Sequence, residues 1–415
     1  CGAAPMIGGF LVGALSECIA KMLYAGGLKD DVNACWSAFW YWGGPGYLYG
    51  GHNREGITTA QGLYDLHGGG LGATPTRDGV NTGGHMNIPS GGIADIERIE
   101  MQYPFIYFTR RHLRDGSGFG KHRGGVGSER LLMIYGSRDA SVDFRPYGAI
   151  PHGSFGLYGG YPTGFGGTRA LFSTEGLMDR LAGGDYPAGP DEVASGGWGH
   201  VAYPEANPPR IPLPEYSLVA DFTQSGGGYG DPIDRDPESV ARDVRIDTTS
   251  RYAAQKVYGV VLDEAGTVAE NATREQREAI RVGRREQSRP PVEKTSSTSL
   301  GAVNGHVVLH FHEYLDVVSG ENGFFIRCRK CGYLFCSADE NYKRYALEIR
   351  RDLEELAGHR VPSGEPYLGV FLEYVCPGCA TLLQVDTYCP SEGGETPLWD
   401  IQLDKRRLSR IIHAP

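Results

Sequence analysis

The sequence comprises 415 residues, of which 40% are hydrophobic and 22% charged, and its formal net charge is -10. This length allows two or three domains with a sizeable core, because single hydrophobic cores stop growing well below it. The acidic balance disfavours nucleic acid and anionic membranes as partners, which leaves small molecules and other protein subunits.

The N-terminal segment, residues 5–25, has the small and apolar residues of a buried helix that packs closely against a neighbour. Glu17 and Lys21 interrupt its apolar character, and no basic flank or small-residue cleavage site accompanies it. The segment is therefore neither a signal peptide nor a membrane span. A cytoplasmic location is the default expectation.

Glycine dominates the composition up to about residue 230. The chain has 62 glycines in 415 residues, about twice the usual share of roughly 7%. Short aromatic and β-branched runs, such as 105–108 and 131–135, lie between them. This pattern predicts a β-rich domain with tight turns, in which backbone comes close to backbone or to a ligand.

Helical signals follow the glycine-rich loop 226–232. Asp236 precedes Pro237, which is the order of a capping residue and a first helical residue. A second helix is expected from Ser250. The region therefore changes from strands to helices.

A strand is predicted at 260–262, and then a charged helix that starts from Asn271 or Thr273 as its cap. Residues 284–303 are charged, then rich in proline and finally in serine and threonine, without apolar periodicity. That composition is typical of an interdomain linker.

Beyond the linker, apolar residues at 307, 309 and 311 alternate with His306, His310 and His312. The alternation predicts a strand with one apolar face. The histidines form either a solvated face, which we favour, or part of a metal site. A helix is predicted at about 339–357.

Two Cys-X-X-Cys pairs, separated by 44 residues, are the strongest motif of the sequence. Each pair can present two thiolates to one tetrahedral zinc ion, so the pattern predicts a closed, structural zinc site. Reduced buried cysteines and a redox dithiol are the alternatives. Cys336 and Cys389 are extra cysteines, either buried or able to replace a ligand. The predicted ligands are Cys328, Cys331, Cys376 and Cys379.

Two glycine-rich passages contain candidate pocket residues. The first runs from His67 through Asp78 to His85, and the second, residues 115–129, contains Arg123. A glycine-rich frame lets these side chains approach a ligand for binding or acid-base work. The alternative is that each one satisfies buried loop backbone. Neither a phosphate-binding P-loop nor a serine nucleophile elbow occurs.

Four passages of the sequence, taken together, resemble the hydantoinase B/oxoprolinase family. The resemblance covers residues 1–283. The passages are the loop from His67 to Gly79, the stretch from Asn81 to Glu100, the run from Ser117 to Gly127, and the loop from Gly226 to Glu238.

Residues 304–415, with both cysteine pairs, resemble the small zinc-binding gamma subunit of acetone carboxylase, here fused behind the first region. The expected fold class is α+β. It consists of a glycine-rich, β-heavy mixed domain with a helical C-terminal segment, followed by a small four-cysteine, zinc-ribbon-like domain.

This pairing of resemblances implies a subunit of a biotin-independent ketone carboxylase of the acetone or acetophenone type. In that class ATP activates bicarbonate and the enol of a small ketone by phosphorylation, and the product is a 3-oxo acid. ATP and Mg²⁺ are expected on a hydantoinase-A-like partner subunit. His67, Asp78, His85 and Arg123 would bind enolate or carboxylate and transfer protons, and the planar fork of Arg123 suits carboxylate or phosphate oxygens.

The resemblance also implies several hundred residues before the first helix, which in several relatives supply a catalytic metal site such as manganese. We expect the chain to be a fragment of a longer polypeptide, or one piece of a split subunit, and to assemble with that missing half. Two rival functions remain: an ATP-dependent lactam or hydantoin hydrolase subunit, and a non-catalytic scaffold.

Overall fold

The computed structural model describes most of the chain. The described residues are 4–35, 46–59, 68–84, 95–145, 155–163, 170–174, 176–202, 210–293, 306–321, 323–356, 369–388, 398, 400–404, 406 and 408.

The predicted N-terminal helix is present as α1 (Ala4–Ala25). In its second half the helix has both buried and exposed side chains: Lys21 is buried and lies 3.2 Å from Asp400, whereas Leu15 is 59% exposed. Within the described part of the chain, no helix is long and apolar enough to cross a membrane.

Within its described residues, the glycine-rich region contains two antiparallel sheets and three short helices. In chain order they are β1 (Gly46–Gly50), α2 (Ile96–Gln102), β2 (Phe105–His112), β3 (Ser128–Ile134), β4 (Ser141–Arg145), β5 (Ala170–Ser173), α3 (Leu177–Ala182), α4 (Pro190–Ser195), β6 (His200–Ala202), β7 (Ile211–Pro212) and β8 (Leu218–Phe222). The larger sheet has the order β2-β3-β8-β5-β6 and the smaller one β1-β4-β7.

Helices cover both faces of the five-stranded sheet. On one face Ile99 of α2 packs in a cluster with Ile134. On the other, Val193 of α4 packs in a cluster with Leu131. Because both faces are covered, every residue of β3 is buried.

The glycine runs of this region stack backbone against backbone. The Gly226 N–H donates to Gly125 O at 2.9 Å, and the Gly125 N–H donates to Leu71 O at 2.8 Å. A Cβ atom on Gly70 would lie 1.7 Å from Gly125 O, and one on Gly226 would lie 2.0 Å from Leu71 O. These glycines are therefore needed so that three loops can form one hydrogen-bonded layer.

Three helices follow the last glycine loop: α5 (Pro237–Arg245), α6 (Arg251–Lys256) and α7 (Glu270–Gln287). The Asp236 side chain caps α5 by accepting the Ser239 N–H at 2.9 Å. The Ser250 side chain caps α6 by accepting the Ala253 N–H at 3.0 Å. Both predicted helix starts are confirmed.

The predicted strand at 260–262 and the predicted cap of α7 are wrong. The segment makes only one isolated bridge, from Leu262 to Val268. The capping position of α7 is Ala269, so the predicted caps lie within its first turn. The Thr273 hydroxyl instead accepts the Val261 N–H at 3.1 Å, and a side-chain contact thus replaces the strand pairing.

The C-terminal region forms two further antiparallel sheets. In chain order its strands are β9 (Val307–His310), β10 (Leu315–Gly320), β11 (Gly323–Cys328), β12 (Leu334–Ser337), β13 (Leu347–Asp352), β14 (Val370–Val375) and β15 (Leu382–Tyr388). The sheet orders are β12-β11-β10-β9 and β13-β14-β15. This mixture of helices and antiparallel sheets confirms the α+β class.

The helix predicted at about 339–357 is wrong. Its residues form two short 3₁₀ turns, Tyr342–Tyr345 and Leu353–Glu355, with β13 between them. Pairing of β13 with β14 places Arg351 beside Glu373, and the two side chains form an ion pair. Tertiary pairing thus overrides the helical propensity of this charged segment.

The strand predicted around the three histidines is confirmed as β9, but their common solvated face is not. His306 and His310 are exposed, whereas His312 is buried. Its Nδ1 accepts the Tyr314 N–H at 3.0 Å, and its Nε2 lies 3.1 Å from Leu383 O. Burial lowers the pKa of His312 to about 3, so its ring is neutral.

The region before the predicted linker, residues 1–283, and the C-terminal region, residues 304–415, share one hydrophobic core. We call these two regions the first and second halves of the chain. Phe119 and Tyr258 of the first half cluster with Phe371 and Leu382 of the second. Helix α7 continues four residues into the segment predicted as a linker from 284 onward. The domain boundaries stay a prediction, but the second half packs on the first as part of one body.

Candidate functional site

The four predicted zinc ligands converge at one point. Their sulfur atoms all lie within 4.8 Å of one another, and Cys328 Sγ is 3.8 Å from Cys379 Sγ. Cys331 Sγ is 3.7 Å from Cys376 Sγ. A tetrahedral ion with metal–sulfur bonds of about 2.3 Å requires sulfur–sulfur edges of about 3.8 Å. The cluster therefore fits a closed, structural metal site.

The two cysteine pairs lie in matching turns. One turn joins β11 to β12 and the other joins β14 to β15. In each, the residue after the second cysteine has a positive φ, 79° at Gly332 and 57° at Ala380. Alanine rarely adopts this conformation, so the surrounding contacts must hold the second turn in place.

A buried ion pair fixes the second turn to the first half of the chain. Arg284 of α7 donates to both oxygens of Asp231 at 2.8 Å and to Ala380 O at 3.0 Å. Asp231 also accepts the Leu382 N–H at 2.9 Å. Burial opposes ionisation of Asp231, yet Arg284 holds its pKa below the ordinary value. The metal site and the glycine-rich layer are thus directly connected.

Glu313, which follows β9, makes a second connection between the C-terminal region and the glycine-rich region. Its carboxylate accepts hydrogen bonds from Tyr229 at 2.8 Å, Lys121 at 3.0 Å and Tyr24 at 3.1 Å. The donors come from two glycine-rich loops and from α1. The neighbouring Tyr314 hydroxyl accepts the Asp231 N–H at 2.8 Å.

Of the four predicted pocket residues, the structure brings Asp78 and Arg123 together. The Arg123 N–H donates to Asp78 Oδ1 at 3.0 Å. Arg235 forms a fork with both Asp78 oxygens, at 2.6 and 2.7 Å. Burial opposes ionisation of Asp78, but the hydrogen bonds from Arg235 lower its pKa. Asp78 is therefore a carboxylate at neutral pH.

Arg123 is buried and engaged within the protein. Its guanidinium donates to Asn81 at 2.9 Å and to Asp243 at 3.1 Å. Asp243 also accepts from Arg235 at 2.7 Å. Asp78, Arg123, Arg235 and Asp243 thus form one alternating ionic network.

His122, which sequence reasoning did not single out although it adjoins Arg123 in the same run, also lies beside Asp78. Its Nδ1 lies 3.8 Å from Asp78 Oδ1, and its side chain is 23% exposed. Burial lowers the pKa of His122, which outweighs the attraction of Asp78 for the charged form. The pair places a neutral imidazole, accessible to solvent, beside a carboxylate.

Of the other residues singled out in the sequence, the structure describes Cys336, whereas His67, His85 and Cys389 lie outside the described residues. Cys336 is buried in the core of the C-terminal region and is not part of the four-thiol cluster.

Two family models match the chain. The model of the hydantoinase B/oxoprolinase family matches residues 4–232, which is more than half of the sequence. The model of the acetone carboxylase gamma subunit matches residues 302–410. The order of the two matches agrees with the two regions inferred from the sequence.

Two curated proteins similar to the chain are subunits of ketone carboxylases. The acetone carboxylase alpha subunit of Xanthobacter autotrophicus is 30% identical over 280 residues, covering 62% of this chain and 35% of that protein. The acetophenone carboxylase delta subunit of Aromatoleum aromaticum is 26% identical over 277 residues, covering 62% and 38%. The chain therefore spans little more than a third of the length of these relatives.

Among solved structures, the chain resembles the nucleotide-free structure of acetone carboxylase, which was determined in work on the mechanism of ATP-dependent acetone carboxylation. The TM-score is 0.58 at 29% identity, over 64% of this chain and 36% of that chain. The family match, the relatives and this structural likeness agree with one another. The chain belongs to the hydantoinase B/oxoprolinase family.

Proposed function

We propose that the chain is part of an ATP-dependent, biotin-independent ketone carboxylase of the acetone or acetophenone type. The observation that best supports this is the combination of a hydantoinase-B region and an acetone-carboxylase-gamma region in one chain, around a shared core. Similarity to acetone and acetophenone carboxylase subunits points to the same chemistry. The complete enzyme would join a small ketone and bicarbonate into a 3-oxo acid.

The proposed complex contains partner subunits besides this chain. A hydantoinase-A-like subunit would bind ATP with Mg²⁺ and supply the phosphoryl groups that activate bicarbonate and the enol. Polypeptide corresponding to the rest of the longer relatives would contribute a further metal site, for which manganese is our candidate. This division is motivated by the resemblance and by the lack of a P-loop motif in the sequence.

For the predicted pocket residues we propose binding and proton transfer. Asp78 would orient His122, and that imidazole would exchange a proton with an enolisable substrate, together with His67 and His85. Because the Arg123 donors reach Asn81 and Asp243, Arg123 would act mainly by holding Asp78 in place.

For the four-cysteine site we propose zinc with a structural role. All four ligands come from the protein, so no position is left for a substrate or water. The thiols hold two turns together, and one of these turns carries the contacts to Asp231 and Arg284. Zinc would thus stabilise the contact between the two halves of the chain.

The experiment is a radiolabelled bicarbonate assay of the complex purified with its natural partners. We expect label to enter an acid-stable product only with ATP and with acetone or acetophenone. ATP-dependent opening of a lactam or hydantoin ring without bicarbonate would replace the carboxylase proposal by the hydrolase alternative. Absence of both activities in an intact complex with a full metal content would leave only the scaffold role.

A further inference from the structure

Helix α1 has an apolar stripe that is turned towards solvent. Within residues 13–25, every residue that is exposed is apolar. Leu15, Ile19 and Met22 are 59%, 46% and 65% exposed, and Cys18 between them is also exposed. Steps of three and four residues place these four side chains, which we call the apolar stripe, along one side of the helix. A helix at the surface of a globular protein normally presents charged and polar residues to solvent.

The polar groups of α1 are turned towards the protein instead. Lys21 is buried and pairs with Glu17 at 3.0 Å and with Asp400 at 3.2 Å. The Tyr24 hydroxyl donates to Glu313 at 3.1 Å. Rotation of the helix to bury the apolar stripe would separate Lys21 from Asp400 and leave a buried charge without its partner, which is strongly unfavourable. These contacts therefore fix the outward direction of the stripe.

The apolar stripe is too small for a dimer of this chain to depend on it. It has four side chains and extends over about two helical turns, or about 10 Å. A stable interface between two proteins takes about 800 Å² from each partner. The stripe therefore suits one part of a more extensive contact.

A membrane surface is a poor match for the apolar stripe. Helices that lie in a membrane interface have lysine and arginine beside their apolar face. The sequence of α1 contains one cation, Lys21, and this side chain is buried and paired. The net charge of the chain, -10, also disfavours anionic lipid. A protein surface is thus the better partner.

The relatives of the chain have further polypeptide that can cover the stripe. The hydantoinase B match begins at residue 4, so α1 belongs to the part that the chain shares with its family. The chain covers 35% of the acetone carboxylase alpha subunit and 36% of the chain in the acetone carboxylase structure. The greater part of each relative therefore has no counterpart in this chain.

We propose that the apolar stripe is an interaction surface for hydantoinase-B-type polypeptide, namely the part of the longer relatives that has no counterpart here. The partner surface is apolar, because an unpaired charge buried against the stripe would be costly. The inference rests on the proposed assembly with such polypeptide, in the same chain or in a separate subunit. It does not depend on which reaction the assembly catalyses.

Cys18 is a natural probe of the stripe. Its thiol is exposed, whereas Cys35 is buried. Maleimide should therefore modify Cys18 at least about tenfold faster in the 415-residue chain alone than in the complex purified with its natural partners. Mass spectrometry of the modified peptides measures both rates. Equal rates would overturn the proposal, as would a natural complex without such polypeptide.

Photocrosslinking from Met22 identifies the partner. Photo-methionine incorporated at this position should crosslink to the hydantoinase-B-type polypeptide when the complex is irradiated. Crosslinks to a second copy of this chain or to a hydantoinase-A-like subunit, or binding of the chain to phospholipid vesicles through the stripe, would overturn the proposal.

A charge within the stripe gives a third reading. Ile19→Glu should abolish the protection of Cys18 in the complex without changing the urea midpoint of the chain alone, because residue 19 is exposed. Met178→Glu is the matched control, since Met178 is 41% exposed on α3, and it should leave the protection unchanged. Protection that survives Ile19→Glu would contradict the inference. A complex that protects Cys18 but carboxylates no ketone would refute the proposed function alone.

Discussion

Replacing Asp231 by alanine tests whether the buried ion pair holds the two halves of the chain together. Asp231 is 0% exposed, and its carboxylate accepts two hydrogen bonds from Arg284 at 2.8 Å and one from the Leu382 N–H at 2.9 Å. Removing one partner of a buried pair leaves an uncompensated charge and costs about 3–5 kcal/mol. We therefore expect Asp231→Ala to lower the free energy of unfolding by about 4 kcal/mol.

The assay is urea unfolding followed by tryptophan fluorescence, with zinc content measured in parallel. Glu293→Ala is the matched control, since Glu293 pairs with Arg344 at the surface with side chains 46% and 47% exposed. Loss of such a pair costs at most about 1 kcal/mol. An Asp231→Ala protein as stable as Glu293→Ala would refute the role of the buried pair.

Three further predictions concern packing, pH and metal. Gly226→Ala should cost about 3 kcal/mol or more in urea unfolding, because its Cβ would lie 2.0 Å from Leu71 O. Gly283→Ala, whose Cβ meets nothing within 4 Å on α7, should instead stabilise by about 0.5–1 kcal/mol. Stability should fall as pH drops from 6.5 towards 4.5, by up to about 1.4 kcal/mol per unit, because the unfolded state protonates His312 while the folded state keeps it neutral. A His312→Asn protein with the same slope would contradict this. Cys376→Ser should lose its zinc and unfold at lower urea, whereas a variant that keeps one zinc per chain would contradict the four-thiol site.

Features with local signals could be predicted from the sequence. The four cysteines could be predicted as ligands because two Cys-X-X-Cys pairs supply the four thiolates that a tetrahedral zinc ion requires. The starts of α5 and α6 were found because Asp236 and Ser250 cap them through contacts only three residues away. The density of glycine predicted close backbone approach, and the stacked loops show it.

Features that depend on distant partners could not be predicted. Arg123 suited an anion by residue type, but its partner Asp243 lies 120 residues away in sequence. The segment 339–357 has helix-forming residues, yet pairing of β13 with β14 decides its structure. His312 is neutral because it is buried against β15, where its Nε2 lies near Leu383 O. The alternation of apolar residues and histidines along residues 306–312 does not indicate this contact.

The central claim is that this chain serves in carboxylation of a ketone, and the most direct measurement is identification of the product. The purified complex should convert isotopically labelled bicarbonate, ATP and acetone or acetophenone into a 3-oxo acid with the label in its new carboxyl group. Mass spectrometry before and after decarboxylation locates that label. An unlabelled product, or labelling that proceeds without ATP or without ketone, would contradict the account.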